Sequence, residues 1–350
     1  MKFNLQTHQV FLGDDYLSSF ESVLDCKLSS FSKIYILTDS NTLEHCLPIL
    51  LEEVPELQDS ECIEIEPGEA SKSLEVVNQI WSQLTENQSD RKTLWVNLGG
   101  GVVCDLGAFV ASTYKRGLSF IQIPTSLLAQ VDASVGSKTG INFNGFKNQI
   151  GTFTDPLAVF VAPKFLDTLS ERQYKNGFAE IIKHALIADV SYWEAMKNGK
   201  HDMDYYIGES LKIKTEIVLA DKFESSRRKQ LNFGHSFAHA FETYASQEGL
   251  ELFHGEAVAL GMLAEAYLSM QYLGLKESEY QDIKSSIPKV YPIQNFRTHA
   301  HPKALAFIAQ DKKNEHGKLN MTLLKHIGKA QENVEVLAKD LEPALESIFR

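Results

Sequence analysis

Short apolar runs alternate with helical patterns through the first half of the chain, and this alternation restricts the fold more than any other sequence feature. The runs lie at residues 34–37, 62–66, 94–98 and 120–124. Each is followed by polar residues, proline or glycine, as expected for buried strands that end at a sheet edge. A helical spacing of Leu74, Val77, Ile80, Trp81 and Leu84 separates the second run from the third. Strands separated by helices predict βαβ units, a mostly parallel sheet and an α/β fold.

The character of the chain changes after a fifth strand-like run at residues 158–161. From Pro163 to about residue 290 the patterns are nearly all helical, and residues 321–324 are a candidate for a short strand. A chain of 350 residues corresponds to about two domains. We therefore predict an α/β domain over residues 1–160 and a mostly α-helical domain over residues 161–350.

The composition excludes several classes of partner. There are 34 Lys and Arg against 46 Asp and Glu, a net charge of −12, so nucleic acid or an anionic membrane is not expected to bind. A pocket can still reverse the sign locally and bind an anionic substrate. No apolar run approaches roughly 18 residues, and the N-terminus lacks the apolar core of a signal peptide. The four cysteines are far apart and form no CxxC pair, which favours reduced thiols and a cytoplasmic location.

A glycine run follows the third strand and opens a predicted helix at Gly99-Gly100-Gly101. Glycines there allow a pyrophosphate to approach the backbone, and the helix N-terminus offers free N–H groups. The run is not the G-x-G-x-x-G fingerprint, and a simple tight turn explains it equally well. Polar clusters at residues 39–41 and 67–72 also follow strands, where ligands of parallel sheets bind. Helix capping by Asp39 or Ser40 is the alternative interpretation.

Three histidines and one glutamate in the second half suggest a metal site. His235 and His239 are four residues apart in an apolar helical segment and share one helix face. His254 lies at a predicted helix start, and Glu180 lies in an otherwise apolar turn. Two histidines and a carboxylate with an open position form a known catalytic zinc arrangement. The spacing alone does not show that Glu180 reaches the histidines, and a structural H-x-x-x-H pair is the more common case.

Basic residues recur beside these groups. Taken singly, each is expected at the solvated surface, with the exception of Lys183, which flanks the apolar Glu180 turn. Cations near candidate cofactor and metal sites in an acidic protein favour an anionic substrate. The residues are Lys138, Lys147, Lys183, Lys214 and Arg228.

Together these motifs resemble the 3-dehydroquinate synthase family over essentially the whole chain. The match is carried by long segments in a fixed order, which makes it specific. They are residues 67–72, 99–105, 113–117, 123–132, 135–140, 147–148, 179–183, 232–235 with His239, and 254–257.

The resemblance implies a dehydroquinate synthase-like fold, with a Rossmann-like NAD-binding domain, a helical domain and the site between them. It implies conversion of 3-deoxy-D-arabino-heptulosonate 7-phosphate to 3-dehydroquinate and phosphate, with catalytic NAD+ and one divalent metal, zinc or cobalt. Oxidation of a metal-bound alcohol, phosphate elimination, reduction, ring opening and an aldol closure return the cofactor unchanged. Members of the family are usually homodimers, so the resemblance also implies a homodimer.

By the same match, residues receive roles position by position. The metal ligands implied are Glu180, His235 and His254, and His239 is implied in substrate binding and proton transfer. The substrate and catalytic network is implied to contain Lys138, Asp132, Asn148, Lys183, Lys214, Arg228, Asn232, Arg116 and one of Lys312 and Lys313, with Lys312 chosen. NAD+ binding is implied for Asp39, Asn41, Glu69, Lys72, Gly100, Gly101, Val102, Asp105, Thr125, Ser126, Leu128, Lys138, Lys147, Phe165 and Thr168.

Three positions depart from the family pattern. Ser137 stands where glycine is usual, Ser126 where threonine is usual, and Gln173 where glutamate is frequent. Three alternatives stay open. They are another sugar-phosphate cyclase with a valiolone- or inosose-type product, a metal-dependent NAD alcohol dehydrogenase of related architecture, and an inactive NAD-binding protein.

Overall fold

The computed structural model describes residues 1–18, 20–24, 27–144, 146–311 and 318–350. These residues form two compact units. The first comprises Met1–Tyr174 and Met203–Lys222, and the second comprises Lys175–Asp202 and Phe223–Arg350. The boundary near residue 160 stays a prediction about the functional domains.

Eleven strands are found among the described residues. They are β1 (Lys2–Asn4), β2 (Gln9–Leu12), β3 (Lys33–Asp39), β4 (Glu61–Ile65), β5 (Thr93–Gly99), β6 (Ser119–Pro124), β7 (Ile141–Phe143), β8 (Phe146–Ile150), β9 (Ala158–Val161), β10 (Lys318–His326) and β11 (Lys329–Leu337). The predicted strands are confirmed as β3, β4, β5, β6 and β9, and the candidate strand at 321–324 lies within β10.

Fourteen α-helices are found in the same part of the chain. They are α1 (Asp15–Ser18), α2 (Phe20–Leu24), α3 (Ser40–His45), α4 (Leu47–Glu53), α5 (Leu74–Glu86), α6 (Gly101–Thr113), α7 (Glu171–Ala188), α8 (Val190–Lys197), α9 (Met203–Ala220), α10 (His235–Gln247), α11 (His254–Leu273), α12 (Glu277–Ser286), α13 (Leu305–Asp311) and α14 (Leu341–Ser347). No described helix is both long and apolar enough to cross a membrane.

The first unit is built on a seven-stranded sheet in the order β1-β2-β9-β6-β5-β3-β4. All neighbours are parallel except β1 and β2, so the prediction of a mostly parallel sheet is confirmed. Successive strand residues point to opposite faces. Accordingly Tyr35 and Leu37 join one buried apolar cluster, and Ile36 joins another. Apolar cores on both faces explain why the central strands are continuous apolar runs.

The second unit is mostly helical and contains the β10–β11 hairpin. Helices α10 and α11 pack against each other, with Phe237 and Phe241 of α10 fully buried. Most of α11 is buried as well, which fits its nearly continuous apolar sequence. This helix pair places three of the four candidate metal-site residues, because His235 and His239 lie on α10 and His254 begins α11.

Candidate active site

In the first unit, the predicted glycine run and polar clusters follow β3, β4 and β5, which are adjacent and parallel. Their carboxyl ends therefore lie along one edge of the sheet. Asp39 ends β3, and its Oδ1 accepts a hydrogen bond from the Thr42 N–H at 2.9 Å. The capping interpretation of Asp39 is thus confirmed. Its role toward a cofactor, with that of the exposed Asn41, stays a prediction.

The glycine run joins β5 to α6 as predicted. Gly100 is the N-cap of α6, and Gly101 and Val102 form its first turn. A Cβ on Gly99 would lie 2.5 Å from Cβ of Val103, so only glycine fits there. Because Gly100 has no side chain to cap the helix, the first N–H groups of α6 are suited to an anion such as pyrophosphate.

Lys72 is a buried cation with several partners at this sheet edge. Its side chain is buried, and Nζ donates to Asp105 Oδ2 at 2.8 Å and to Asn148 Oδ1 at 2.6 Å. Glu69 Oε1 lies 3.7 Å from the same nitrogen. Burial lowers the pKa of Lys72, but Asp105 and Glu69 outweigh burial and raise it. Lys72 therefore links three predicted cofactor and substrate positions as a permanent cation.

We expect Lys72→Met to destabilise the first unit by about 3 kcal/mol, because it leaves Asp105 without its buried cation. Urea denaturation of the metal-free protein measures this loss. The double variant Lys72→Met/Asp105→Asn should recover part of it, since the Asp105 carboxylate then no longer lies beside an apolar side chain and the remaining carboxylate, Glu69, is exposed. A Lys72→Met protein as stable as the wild type would show that the ion pair adds nothing to stability.

The other predicted cofactor residues differ in their surroundings. Thr125 is buried after β6, and its N–H donates to the Gly99 carbonyl at 3.0 Å. Ser126 Oγ accepts from the Ala129 N–H at 3.3 Å, whereas Leu128 is half-buried and Lys147 is exposed. Phe165 lies in the apolar core, and the Thr168 hydroxyl donates to its carbonyl at 2.7 Å.

Two of the predicted substrate residues form an ion pair in the first unit. Lys214 of α9 pairs through Nζ with Asp132, which lies in a π-helical turn at Ala129–Ala133. The expectation that Lys214 and Arg228 are solvated surface residues is wrong, because both are buried. Charge pairing makes such burial of Lys214 tolerable. Lys138 is exposed, as expected for a single cation, and Arg116 is exposed as well.

Ser137, which departs from the family pattern, adopts a left-handed φ of 64°. Its hydroxyl donates to Asp155 Oδ1, and Asp155 Oδ2 accepts from Lys222 Nζ at 2.6 Å. The side chain of Ser137 thus has a half-buried, charged partner, which offsets the cost of its backbone conformation. His8 completes the cluster, with Nδ1 3.8 Å from Asp155 Oδ1.

The His8 cluster predicts a pH-dependent stability. Burial lowers the pKa of His8 to about 4, although Asp155 acts in the opposite direction. The folded pKa lies below the unfolded value of about 6.5, so the unfolded chain binds more protons between these limits. This contribution is complete above about pH 6.5 and is lost as pH falls to about 4, by about 3 kcal/mol. Urea denaturation across this window gives the free energy of unfolding at each pH. It should rise less steeply with pH for His8→Asn than for wild type. An equal dependence of the unfolding free energy on pH in both proteins would contradict the prediction.

In the second unit, Glu180, His235 and His254 lie together. His235 Nε2 is 3.6 Å and His254 Nε2 is 3.3 Å from Glu180 Oε1, and the three ligand atoms lie within 4.8 Å of one another. Glu180 is fully buried on α7, whereas both histidines stand at the first residue of their helices. The fold therefore brings the predicted carboxylate to the histidines, which the sequence alone left open.

The charges around this group set its protonation. Burial raises the pKa of Glu180, but Lys183 and the two histidines hold it well below its ordinary value. Burial and then Lys183 lower the pKa of His235 well below its ordinary value. Burial also lowers the pKa of His254, but Glu242 and Glu180 outweigh burial and raise it to about 9. Glu180 and His235 are therefore already in the deprotonated form that binds a metal, whereas His254 must release a proton first.

The donor set fits a divalent metal of the zinc type. Two imidazole nitrogens and one carboxylate oxygen are typical of catalytic zinc. Ligand atoms about 2.1 Å from a tetrahedral ion lie about 3.4 Å apart, close to the two distances to Glu180 Oε1. His254 Nδ1 lies 3.4 Å from Glu242 Oε1, which orients the ring in the manner usual for metal-bound histidine.

The remaining predicted residues of this unit lie near the histidine-bearing segments. The exposed His239 has its ring centroid 5.5 Å from that of His235, and Lys183 Nζ contacts Glu180. Asn232 Nδ2 donates to Glu224 Oε1 at 2.7 Å, and Arg228 is buried in the same 3-10 turn, Arg227–Asn232. Lys312 and Lys313 lie outside the described residues.

Comparison with known proteins identifies the family. The N-terminal model of 3-dehydroquinate synthase matches residues 62–176, and the C-terminal model matches residues 177–314. The 3-dehydroquinate synthase of Parabacteroides distasonis is 38% identical over 338 residues, covering 95% of this chain and 93% of that protein. The chain belongs to the 3-dehydroquinate synthase family. The Dictyoglomus thermophilum member is 37% identical and covers 97% of this chain and 95% of its own length.

Several solved structures resemble this member of the 3-dehydroquinate synthase family in fold. A 2-deoxy-scyllo-inosose synthase complexed with carbaglucose-6-phosphate, NAD+ and Co²⁺ has a TM-score of 0.87 at 21% identity and covers 99% of both chains. The 2-epi-5-epi-valiolone synthase of Streptomyces hygroscopicus, with NAD+ and Zn²⁺ bound, has a TM-score of 0.83 at 24% identity, covering 99% of this chain and 98% of its own. An iron-containing alcohol dehydrogenase scores 0.63 at 13% identity, covering 99% of each chain.

Sequence reasoning missed two residues that contact predicted site residues in this member of the family. Asn142 Nδ2 donates to Glu69 Oε1 at 2.8 Å, and its Oδ1 accepts from the Asn148 N–H at 2.9 Å. Glu242 lies beside His254. The only sequence signal for these residues is a polar side chain within an otherwise patterned element, and such side chains are common on surfaces.

Proposed function

We propose that this chain converts 3-deoxy-D-arabino-heptulosonate 7-phosphate to 3-dehydroquinate and phosphate. The observation that carries the proposal is the His₂Glu group of Glu180, His235 and His254 in a chain that belongs to the 3-dehydroquinate synthase family. An inactive NAD-binding protein would not need a buried carboxylate beside two histidines, because burying these polar groups costs free energy even with Lys183 nearby.

The cofactors proposed are NAD+ and one divalent metal, zinc or cobalt. When bound, the metal acidifies a substrate hydroxyl and NAD+ takes up and returns a hydride. Glu180, His235 and His254 would hold the metal. The first turn of α6, from Gly101, together with Lys72 would bind the dinucleotide phosphates.

The chain's own side chains would bind the substrate and move its protons. Lys183 lies one turn from Glu180 on α7, so it can pair with an anionic group beside the metal site. Lys214, fixed by Asp132, and the buried Arg228 supply further cations for the phosphate and carboxylate. His239 is exposed one turn after His235, where Nε2 or Nδ1 can exchange a proton with substrate.

Product identification tests the proposal directly. Purified protein with NAD+ and zinc should release phosphate from the heptulosonate phosphate and yield dehydroquinate by NMR or mass spectrometry. Reaction with glucose 6-phosphate instead would indicate an inosose-type cyclase. Steady accumulation of NADH would indicate a dehydrogenase, because in the proposed reaction NAD+ is regenerated within each turnover. No phosphate release under metal-replete conditions would contradict the assignment.

We also propose a homodimer in the cytosol. Family membership supports the dimer, and the free thiols of Cys46, Cys62 and Cys104 are compatible with a reducing compartment. Light scattering should give a mass about twice that of the 39.3 kDa chain. A mass near 39.3 kDa would overturn the dimer without affecting the reaction.

A further inference from the structure

The helix that carries His235 is held at its start by a side chain from another helix. Gly234, the N-cap of α10, has no side chain of its own to bond the first N–H groups. Instead Glu265 of α11 accepts the Gly234 N–H through Oε2 at 2.6 Å and the Ser236 N–H through Oε1 at 3.0 Å. These N–H groups flank His235 on both sides. The Glu265 carboxylate is fully buried.

The helix that carries His254 is held in the same manner. The Gly255 N–H, next to His254, donates to Asn176 Oδ1 at 2.6 Å. Asn176 lies on α7, one turn before Glu180. Helix α7 therefore supplies both the carboxylate of the group and the side chain that fixes the start of α11.

Both contacts occur where the helices approach each other at glycine. A Cβ on Gly261 would lie 1.9 Å from the Gly234 carbonyl oxygen, and a Cβ on Gly255 would lie 2.1 Å from the Asn176 carbonyl oxygen. Backbones this close leave Glu265 and Asn176 little room to move away from the N–H groups. The three segments bearing Glu180, His235 and His254 are thus joined by short, directional bonds.

A buried carboxylate costs free energy unless charge-assisted hydrogen bonds compensate it. An apolar residue would fill the position of Glu265 without that cost, but it would leave two N–H groups beside His235 unsatisfied. Ligand sets tolerate errors of only about 0.5 Å, so the start of each helix determines whether its histidine reaches the metal. We propose that Glu265 and Asn176 are positioning residues of the metal centre, which act by fixing the helix starts that carry His235 and His254. The inference rests on the proposed function only in taking Glu180, His235 and His254 as the metal ligands.

Zinc affinity of the apoprotein tests the inference without any turnover assay. It is measured by competition with a chromophoric chelator, together with the visible spectrum of the Co²⁺-loaded protein. Glu265→Gln should weaken zinc binding about 10–100-fold and change the Co²⁺ spectrum. Glutamine keeps the volume but sets an NH₂ against one of the two N–H groups. Asn176→Ala should weaken zinc binding similarly, and Asn176→Asp, which keeps an acceptor oxygen, should restore it.

The matched control is Ser269→Ala, one turn after Glu265 on α11. The Ser269 hydroxyl donates to the Glu265 carbonyl at 2.6 Å and accepts from the Leu324 N–H at 2.9 Å, so its loss destabilises the same buried helix without freeing the start of α10. This variant should melt at a lower temperature but bind zinc within about twofold of wild type.

Wild-type zinc affinity and an unchanged Co²⁺ spectrum in Glu265→Gln or in Asn176→Ala would overturn the inference for that residue. If Glu265→Gln does not fold, the Asn176 variants decide whether fixing a helix start controls affinity. If the variants bind zinc more weakly but the wild-type protein makes no dehydroquinate, the proposed function is wrong and this inference still holds.

Discussion

Glu180→Gln is expected to abolish metal binding and, with it, nearly all cyclase activity. Glutamine preserves the volume at a fully buried position but removes the anion that pairs with Lys183 and faces His235 and His254. Loss of an outer partner costs about 10–100-fold in metal affinity, so loss of a ligand should cost more than about 100-fold. Metal analysis after dialysis and phosphate release at stoichiometric zinc measure the two effects, with activity expected at about 1% or less.

The control variant changes Lys183, the other member of the buried pair with Glu180. Lys183→Met removes the cation that contacts Glu180 but keeps the carboxylate, so zinc should bind at least as tightly as in wild type. Activity should still fall, because Lys183 is proposed to bind substrate. If Glu180→Gln retained stoichiometric zinc after dialysis, the ligand assignment would be wrong.

His239→Asn is expected to separate metal binding from catalysis. His239 is exposed one turn after His235 and is absent from the group of three ligand atoms found among the described residues. The variant should bind zinc like wild type, yet kcat should fall about 10²–10⁴-fold, the usual contribution of a positioned acid or base. Steady-state kinetics and metal analysis on the same preparation check both parts.

Measuring zinc content and kcat on the same variant distinguishes a catalytic role of His239 from a role as metal ligand. A His239→Asn protein that loses zinc would place His239 among the ligands, which contradicts the assignment made here. A protein that keeps zinc and retains kcat within about tenfold would show that another group transfers the proton.

The parallel sheet could be predicted because the residue pattern of each strand is local in sequence. Strands β3, β5 and β6 are apolar runs whose alternate residues face two cores, and that pattern is visible in any short window. The start of α6 after Gly99 and the start of α11 at His254 were predicted for the same reason, since glycine and polar residues mark element ends.

Contacts between distant segments could not be predicted in this way. Asp132 and Lys214 are each ordinary surface residue types, and only the fold pairs them. The predicted histidine pair His235 and His239 follows helical spacing, whereas the group that forms joins His235 to residues on two other helices. Glu265 bonds backbone N–H groups, which leave no trace in sequence because every residue except proline has one.

The path of the chain limits how this protein can be recombined with its relatives. Helix α9 belongs to the first unit although it follows the start of the second, so the polypeptide enters the second unit twice. Its Lys214 pairs with Asp132, and the nearby Lys222 pairs with Asp155. A single crossover between residues 176 and 177, where the two family models meet, would take these lysines from one parent and their carboxylates from the other. Exchange of one intact unit between this chain and a relative therefore requires three junctions rather than one.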